Sequence, residues 1–133
     1  MSIDYEARKA FLNEHDTFAR SNGIRLEVLR EGYAEAVLET NENSMNGLKT
    51  IQGGAIFTVA DFAFAGGANS WEEKCIAMSA NIAFVRPGTG KLLRAVAKAV
   101  NKGRRSCLFD VEVSNEQGKL VAKMSVTGFF YEK

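Results

Sequence analysis

Three residue types are scarce in this chain of 133 residues, and each scarcity removes a class of function. There are two cysteines, Cys75 and Cys107, one histidine, His15, and one proline, Pro87. Two cysteines cannot make the disulfide framework of a small secreted domain, so they read as small buried hydrophobes. Three Cys and His residues scattered along a chain do not form a typical zinc site, and no metal is expected. A lone His15 in a charged N-terminal segment is a poor base for a serine or cysteine nucleophile. Excess charge is missing too. Seventeen Lys plus Arg against 16 Asp plus Glu leave a net +1, which gives no global field to hold a polyanion, so nucleic acid is not an expected partner. Residues 2–14 are rich in charge and lack the apolar centre of a secretory leader. The cytoplasm is the expected location and no membrane partner is expected. There is no G-x-G-x-x-G after a strand, no P-loop and no G-x-S-x-G.

What remains is an ordinary globular mix, 46% apolar and 25% charged, in a length that suits one domain over 1–133. A chain of this mass buries about two-thirds of its surface, enough for a core without staples. Residues 5–20 place Tyr5, Ala7, Phe11, Leu12 and Phe18 at helical spacing, giving an N-terminal helical segment over 1–22 that ends at Asn22-Gly23. Strands are expected at 24–29 and 33–40, joined by Arg30-Glu31-Gly32. A polar loop follows at 41–52. Residues 53–69 are apolar nearly all round, with only Thr58, Asp61 and Asn69 polar. Such a helix is buried or spans a membrane; spanning needs about 20 apolar residues and makes a central Asp costly. A buried central helix is therefore expected, ending at Gly66-Gly67 or passing another backbone there. Strands follow at 75–85, 91–100, 108–113 and 120–131. Helix, two strands, helix and a run of hairpins make an α+β chain. An all-apolar helix needs a sheet that curls around it: a hotdog fold, with a curved antiparallel sheet of five to six strands.

Two features carry chemistry. Gln52-Gly53-Gly54 stands at the entrance to the buried helix, where free N–H groups and a partial positive charge suit a carbonyl or oxyanion, and glycine admits a close ligand. A plain turn before a close-packed helix explains the same glycines. Asp61 is the lone charge between Thr50 and Trp71. Either it sits with Thr58 and Asn69 on a thin solvent-facing edge, or it is a carboxylate with raised pKa at a site that uses it. Gly53 and Asp61 lie about 12 Å apart along one helix, too far to share one carbonyl. Two antiparallel copies of the helix bring Asp61 of one subunit to Gly53 of the other, making the site a property of a dimer.

At these residues the sequence resembles the PaaI-like branch of hotdog-fold acyl-CoA thioesterases. The resemblance spans about residues 23–130 and rests on the order and spacing of several pieces. These are Asn46-Gly47, Gln52-Gly53-Gly54-Ala55-Ile56-Phe57, Ala60-Asp61-Phe62-Ala63-Phe64-Ala65, Asn69, Phe84-Val85-Arg86-Pro87, Gly90-Lys91-Leu92-Leu93-Arg94-Ala95, Gly103-Arg104-Arg105 and Gly118-Lys119-Leu120-Val121-Ala122. It implies that the Gly53 N–H binds the thioester carbonyl and that Asp61 of the facing subunit is general base or nucleophile. Asn46 then holds the reacting group or the water, and Ser79 on the following strand assists. Gln52 stands where the family has His; it donates hydrogen bonds but does not titrate near neutrality. Gly54 and Phe64 are expected at the substrate, Phe64 with Met45, Phe62 and Met78 as acyl-pocket candidates against a plain core role. Lys102, Arg104 and Arg105 are candidates for the CoA phosphates, against the alternative of a solvated hairpin tip.

The expected activity is hydrolysis of a small aryl- or medium-chain acyl-CoA, with coenzyme A as part of the substrate and no separate cofactor. The expected partner is a second copy of the chain, and then a pairing of dimers. A non-catalytic acyl-CoA binder, motivated by Gln52, and a ligand-free dimerisation domain are the alternatives. A hotdog dehydratase ranks below both because His15 lies outside the helix region.

Overall fold

The computed structural model describes residues 2–132; Met1 and Lys133, the ends of the expected domain, lie outside them. The elements are α1 (Tyr5–His15), α2 (Thr17–Ser21), β1 (Ile24–Arg30), β2 (Tyr33–Glu39), α3 (Gly53–Ala68), β3 (Lys74–Phe84), β4 (Leu92–Lys102), β5 (Ser106–Ser114) and β6 (Leu120–Glu132). The strands form one six-stranded antiparallel sheet in the order β1-β2-β4-β5-β6-β3. The sheet wraps α3, whose Ile56, Val59, Ala60, Phe62, Ala63, Phe64 and Ala68 join the core. This is the hotdog arrangement.

The N-terminal segment is two helices rather than one. Asp16 breaks it: its backbone N–H closes α1 on the Leu12 carbonyl, and its side chain caps α2 through the Ala19 N–H. The central helix does not stop at Gly66-Gly67 but runs on to Ala68, with Asn69 as its cap. Side chains, not a backbone, press on the two glycines. A Cβ on Gly66 would stand 2.9 Å from Leu26 Cδ2, and one on Gly67 would stand 2.7 Å from the Phe109 ring. The glycines let the sheet close down on the helix, which outweighs their cost in helix propensity of roughly 1 kcal/mol each. No helix among the described residues is long and apolar enough to cross a membrane.

Two sheet features position the site. The first is β3, eleven residues on an open edge, bulged between Ala77 and Ser79. The second is the turn after it, where the Gly88 carbonyl accepts the Ile51 N–H at 2.8 Å and so docks residues 85–88 beside the start of α3.

Candidate active site

The segment before α3 is built by its own polar side chains. Residues 42–44 form a 3-10 turn capped by Asn41. Asn46 closes the next turn completely: Oδ1 accepts the Leu48 and Thr50 N–H groups, and Nδ2 donates to Thr50 Oγ1 at 2.8 Å. Lys49 takes a left-handed conformation, φ 64°. The Gln52 N–H then bonds to the Ser44 carbonyl at 2.7 Å, which aims the chain into the helix.

An α-helix begins with N–H groups that lack intrahelical acceptors. Here three of the first four are taken. Gln52 Oε1 accepts from Gly54 N at 2.7 Å, and the Gln52 carbonyl accepts from Ala55 and Ile56. The Gly53 N–H has no acceptor among the described residues. It opens on a groove of about 430 Å³ lined by Asn46, Thr50, Ile56, Phe84, Arg86 and Pro87, among others. The helix N-terminus adds a partial positive charge there. One directed donor with a favourable dipole is what a carbonyl oxygen gaining negative charge requires.

Asp61 lies two turns on. The stripe Gly54, Thr58, Asp61, Ala65 is the incompletely buried face of α3, so Asp61 does sit on a thin edge. Its neighbours on that edge are satisfied: Thr58 Oγ1 donates to the Gly54 carbonyl, and Asn69 bonds to Ala65 and to both backbone groups of Cys75. Asp61 has no hydrogen-bond or ion-pair partner among the described residues. Burial raises its pKa above the ordinary aspartate value, and the negative charge of Asp16 adds to the rise. It is a half-buried carboxylate poised to take a proton. It does not line the groove of Gly53, from which it is separated by about 12 Å of helix.

The other expected residues fall elsewhere. Ser79 pairs with Thr127, which lies between buried Val126 and Gly128 on β6. Alternation therefore turns Ser79 to the outer face of the sheet, away from α3. Ala77 and Ala80 hold the inward positions. Phe64 is 1% exposed and meets Phe109 edge-on at 5.5 Å; it is a core residue, not part of an open acyl pocket. Lys102 is committed to structure: Nζ pairs with Glu73 at 2.9 Å and lies over the Trp71 and Phe130 rings. Arg104 and Arg105 are exposed at the β4–β5 turn. β4 carries that turn about 33 Å from the Gly53 end of the sheet. Gly54 offers no free N–H, because Gln52 holds it.

Phe84 was legible only as part of the Phe84-Val85-Arg86-Pro87 motif. Its ring stands 3.5 Å from the place a Cβ on Gly53 would take, and it remains 52% exposed. Counting by twos from buried Cys75 puts Phe84 on the outer face of β3; the bulge at Met78 reverses the count and turns it to the helix side.

Comparisons with known proteins agree with this fold. Residues 48–122 match the Thioesterase superfamily. The chain is 34% identical over 122 residues to the acyl-coenzyme A thioesterase PaaI of Escherichia coli, covering 87% of each chain. It is 30% identical over 118 residues to a putative esterase of Archaeoglobus fulgidus, covering 88% of this chain and 77% of that one. The solved structure of the E. coli PaaI protein superposes with a TM-score of 0.89 at 30% identity, covering 95% of this chain and 93% of that one.

Proposed function

The chain belongs to the thioesterase superfamily and is a hotdog-fold thioester hydrolase of the PaaI-like kind; from that footing we propose that it hydrolyses a small aryl- or medium-chain acyl-CoA at sites shared between two copies. The observation that carries the reading is the pairing of one open amide with one unpartnered carboxylate on the same helix. The Gly53 N–H donates to the thioester oxygen, helped by the helix dipole, and stabilises the negative charge that develops on it. Asp61 of a second copy, its helix antiparallel to the first, removes a proton from the attacking water, or adds to the carbonyl itself to give an anhydride that water cleaves. Free acid and CoA leave.

Three observations support the shared site. Gly53 and Asp61 are too far apart to act on one carbonyl in one chain. β3 is an exposed edge with unpaired backbone groups and exposed Ile76 and Met78, which favours addition of another strand. Arg104 and Arg105 are exposed at the end of the sheet away from Gly53, so an antiparallel neighbour would bring them toward Gly53, where they suit the CoA phosphates. Gln52 serves α3 through its acceptor oxygen, a task that needs no titrating ring.

The test is thiol release from phenylacetyl-, benzoyl-, short- and medium-chain acyl-CoA, for the wild type and Asp61→Ala. Turnover by the wild type alone is expected, with the variant losing roughly 10²- to 10⁴-fold. Absence of turnover in both, with a melting temperature raised by acyl-CoA, would instead make the protein a binder.

A further inference from the structure

We propose that Cys75 and Cys107 form a two-coordinate site for a single monovalent thiophilic cation, Cu(I) or Ag(I), inside the sheet. The site does not depend on the reaction proposed above. The two thiols are 5% and 2% exposed, and their sulfurs lie 3.8 Å apart. They come from β3 and β5, the strands on either side of β6. Gly128 of β6 lies between them. A Cβ at Gly128 would stand 2.5 Å from Cys75 Sγ, 2.9 Å from Cys107 Sγ and 2.9 Å from the Phe64 ring. Only the missing side chain lets both sulfurs converge.

Direct S–S bonding does not suit this pair. Strands two apart hold their Cα atoms roughly 9 Å from one another, beyond the roughly 7 Å that a disulfide spans. A bridging ion suits it well. Metal–sulfur bonds of about 2.3 Å set two opposed sulfurs about 4.6 Å apart, so the pair opens by under 1 Å. Among the described residues no group of three or more His, Cys, Asp or Glu side chains could hold a metal. A two-sulfur site excludes zinc, which takes four ligands, and selects a soft ion that accepts thiolates.

Charge and access also fit. On binding, two S–H bonds break, two metal–sulfur bonds form and two protons leave, so the bridged pair carries one negative charge. The hydrogen bond from Cys75 holds the Cys107 thiol below its ordinary value, and the Gly128 backbone N–H and nearby Lys102 add to this; the same bond and burial push the Cys75 thiol up, so the ion itself displaces that second proton. Cys75 lines a cavity of about 580 Å³ with Arg8, Phe11, Leu12 and Trp71, which gives the ion a way in.

The reduced protein, freed of small thiols, is titrated with Ag(I) as an air-stable probe. One ion per chain, two protons released per ion and a melting temperature several degrees higher are expected. Cys75→Ser and Cys107→Ser keep the side-chain volume and are each expected to bind about 100-fold more weakly or worse, the loss of one tethered ligand, with no rise in melting temperature. Two ions bound independently, a melting temperature that falls on addition, or a rise that persists in either variant overturns the proposal. X-ray absorption on the silver-loaded wild type needs no variant: two sulfur neighbours are expected, and an oxygen or nitrogen first shell overturns it.

Discussion

Removing the Gln52 side chain separates its structural task from any chemical one. In Gln52→Ala the Gly54 N–H loses the acceptor at 2.7 Å. N-cap acceptors contribute about 0.5–2 kcal/mol, with 1 kcal/mol typical. Gln52 is exposed, so water partly replaces the lost bond and the lower half of that range applies. For a domain of this size 1 kcal/mol moves the melting temperature by about 4 °C, and a fall of about 2–4 °C is expected. Gln52→Asn, a better N-cap residue, should restore most of it. The assay is a thermal melt beside thiol release from one acyl-CoA. Because Gly53 keeps its free N–H and Asp61 is untouched, turnover should fall by less than about tenfold, the part of an oxyanion-hole effect that loosened loop geometry can remove. Loss of turnover by two orders of magnitude with an unchanged melting temperature would refute the reasoning, since Gln52 would then touch the reacting group rather than hold the helix.

Four further outcomes follow from the geometry. Gly67→Ala should destabilise by about 1–2 kcal/mol in chemical denaturation, because overpacking against Phe109, at 2.7 Å, exceeds the gain in helix propensity. Asp61→Asn should abolish turnover yet stabilise the fold near neutral pH: burial raises the folded-state pKa, so the wild type loses stability as pH rises through that raised value, while at acid pH the two chains should melt alike. Ser79→Ala should leave kcat and KM unchanged, as its side chain faces the outer side of the sheet. Lys102→Ala should lower the melting temperature by about 3–5 °C, through the lost ion pair and ring contacts; an unchanged melting temperature with a raised KM would return Lys102 to the CoA phosphates.

Local pattern carried the fold because each strand alternates and each turn has its glycine. The strand positions inferred from residues 24–29, 33–40, 75–85, 91–100, 108–113 and 120–131 all fall on observed strands, shifted at their ends by one or two residues. Wrapping followed from one fact, a sixteen-residue helix with a single charge. The helix runs to Ala68, within one residue of the expected 53–69; what pattern could not show at Gly66-Gly67 is what presses on them, because propensity is local while the ring of Phe109 arrives from 42 positions away in sequence. The candidate site was legible where a residue stands out by type, as Asp61 does among apolar neighbours and Gly53 does before them. That Gly53 rather than Gly54 keeps an open amide was implied by the family resemblance and not by local pattern, since it depends on the Gln52 side chain folding back onto Gly54. The outward face of Ser79 has a physical reason too: one bulged residue, Met78, exchanges the two faces of β3 for every residue beyond it. The same bulge turns Phe84 inward onto Gly53, so the open amide gains an aromatic wall through the same extra residue that turns the Ser79 hydroxyl outward.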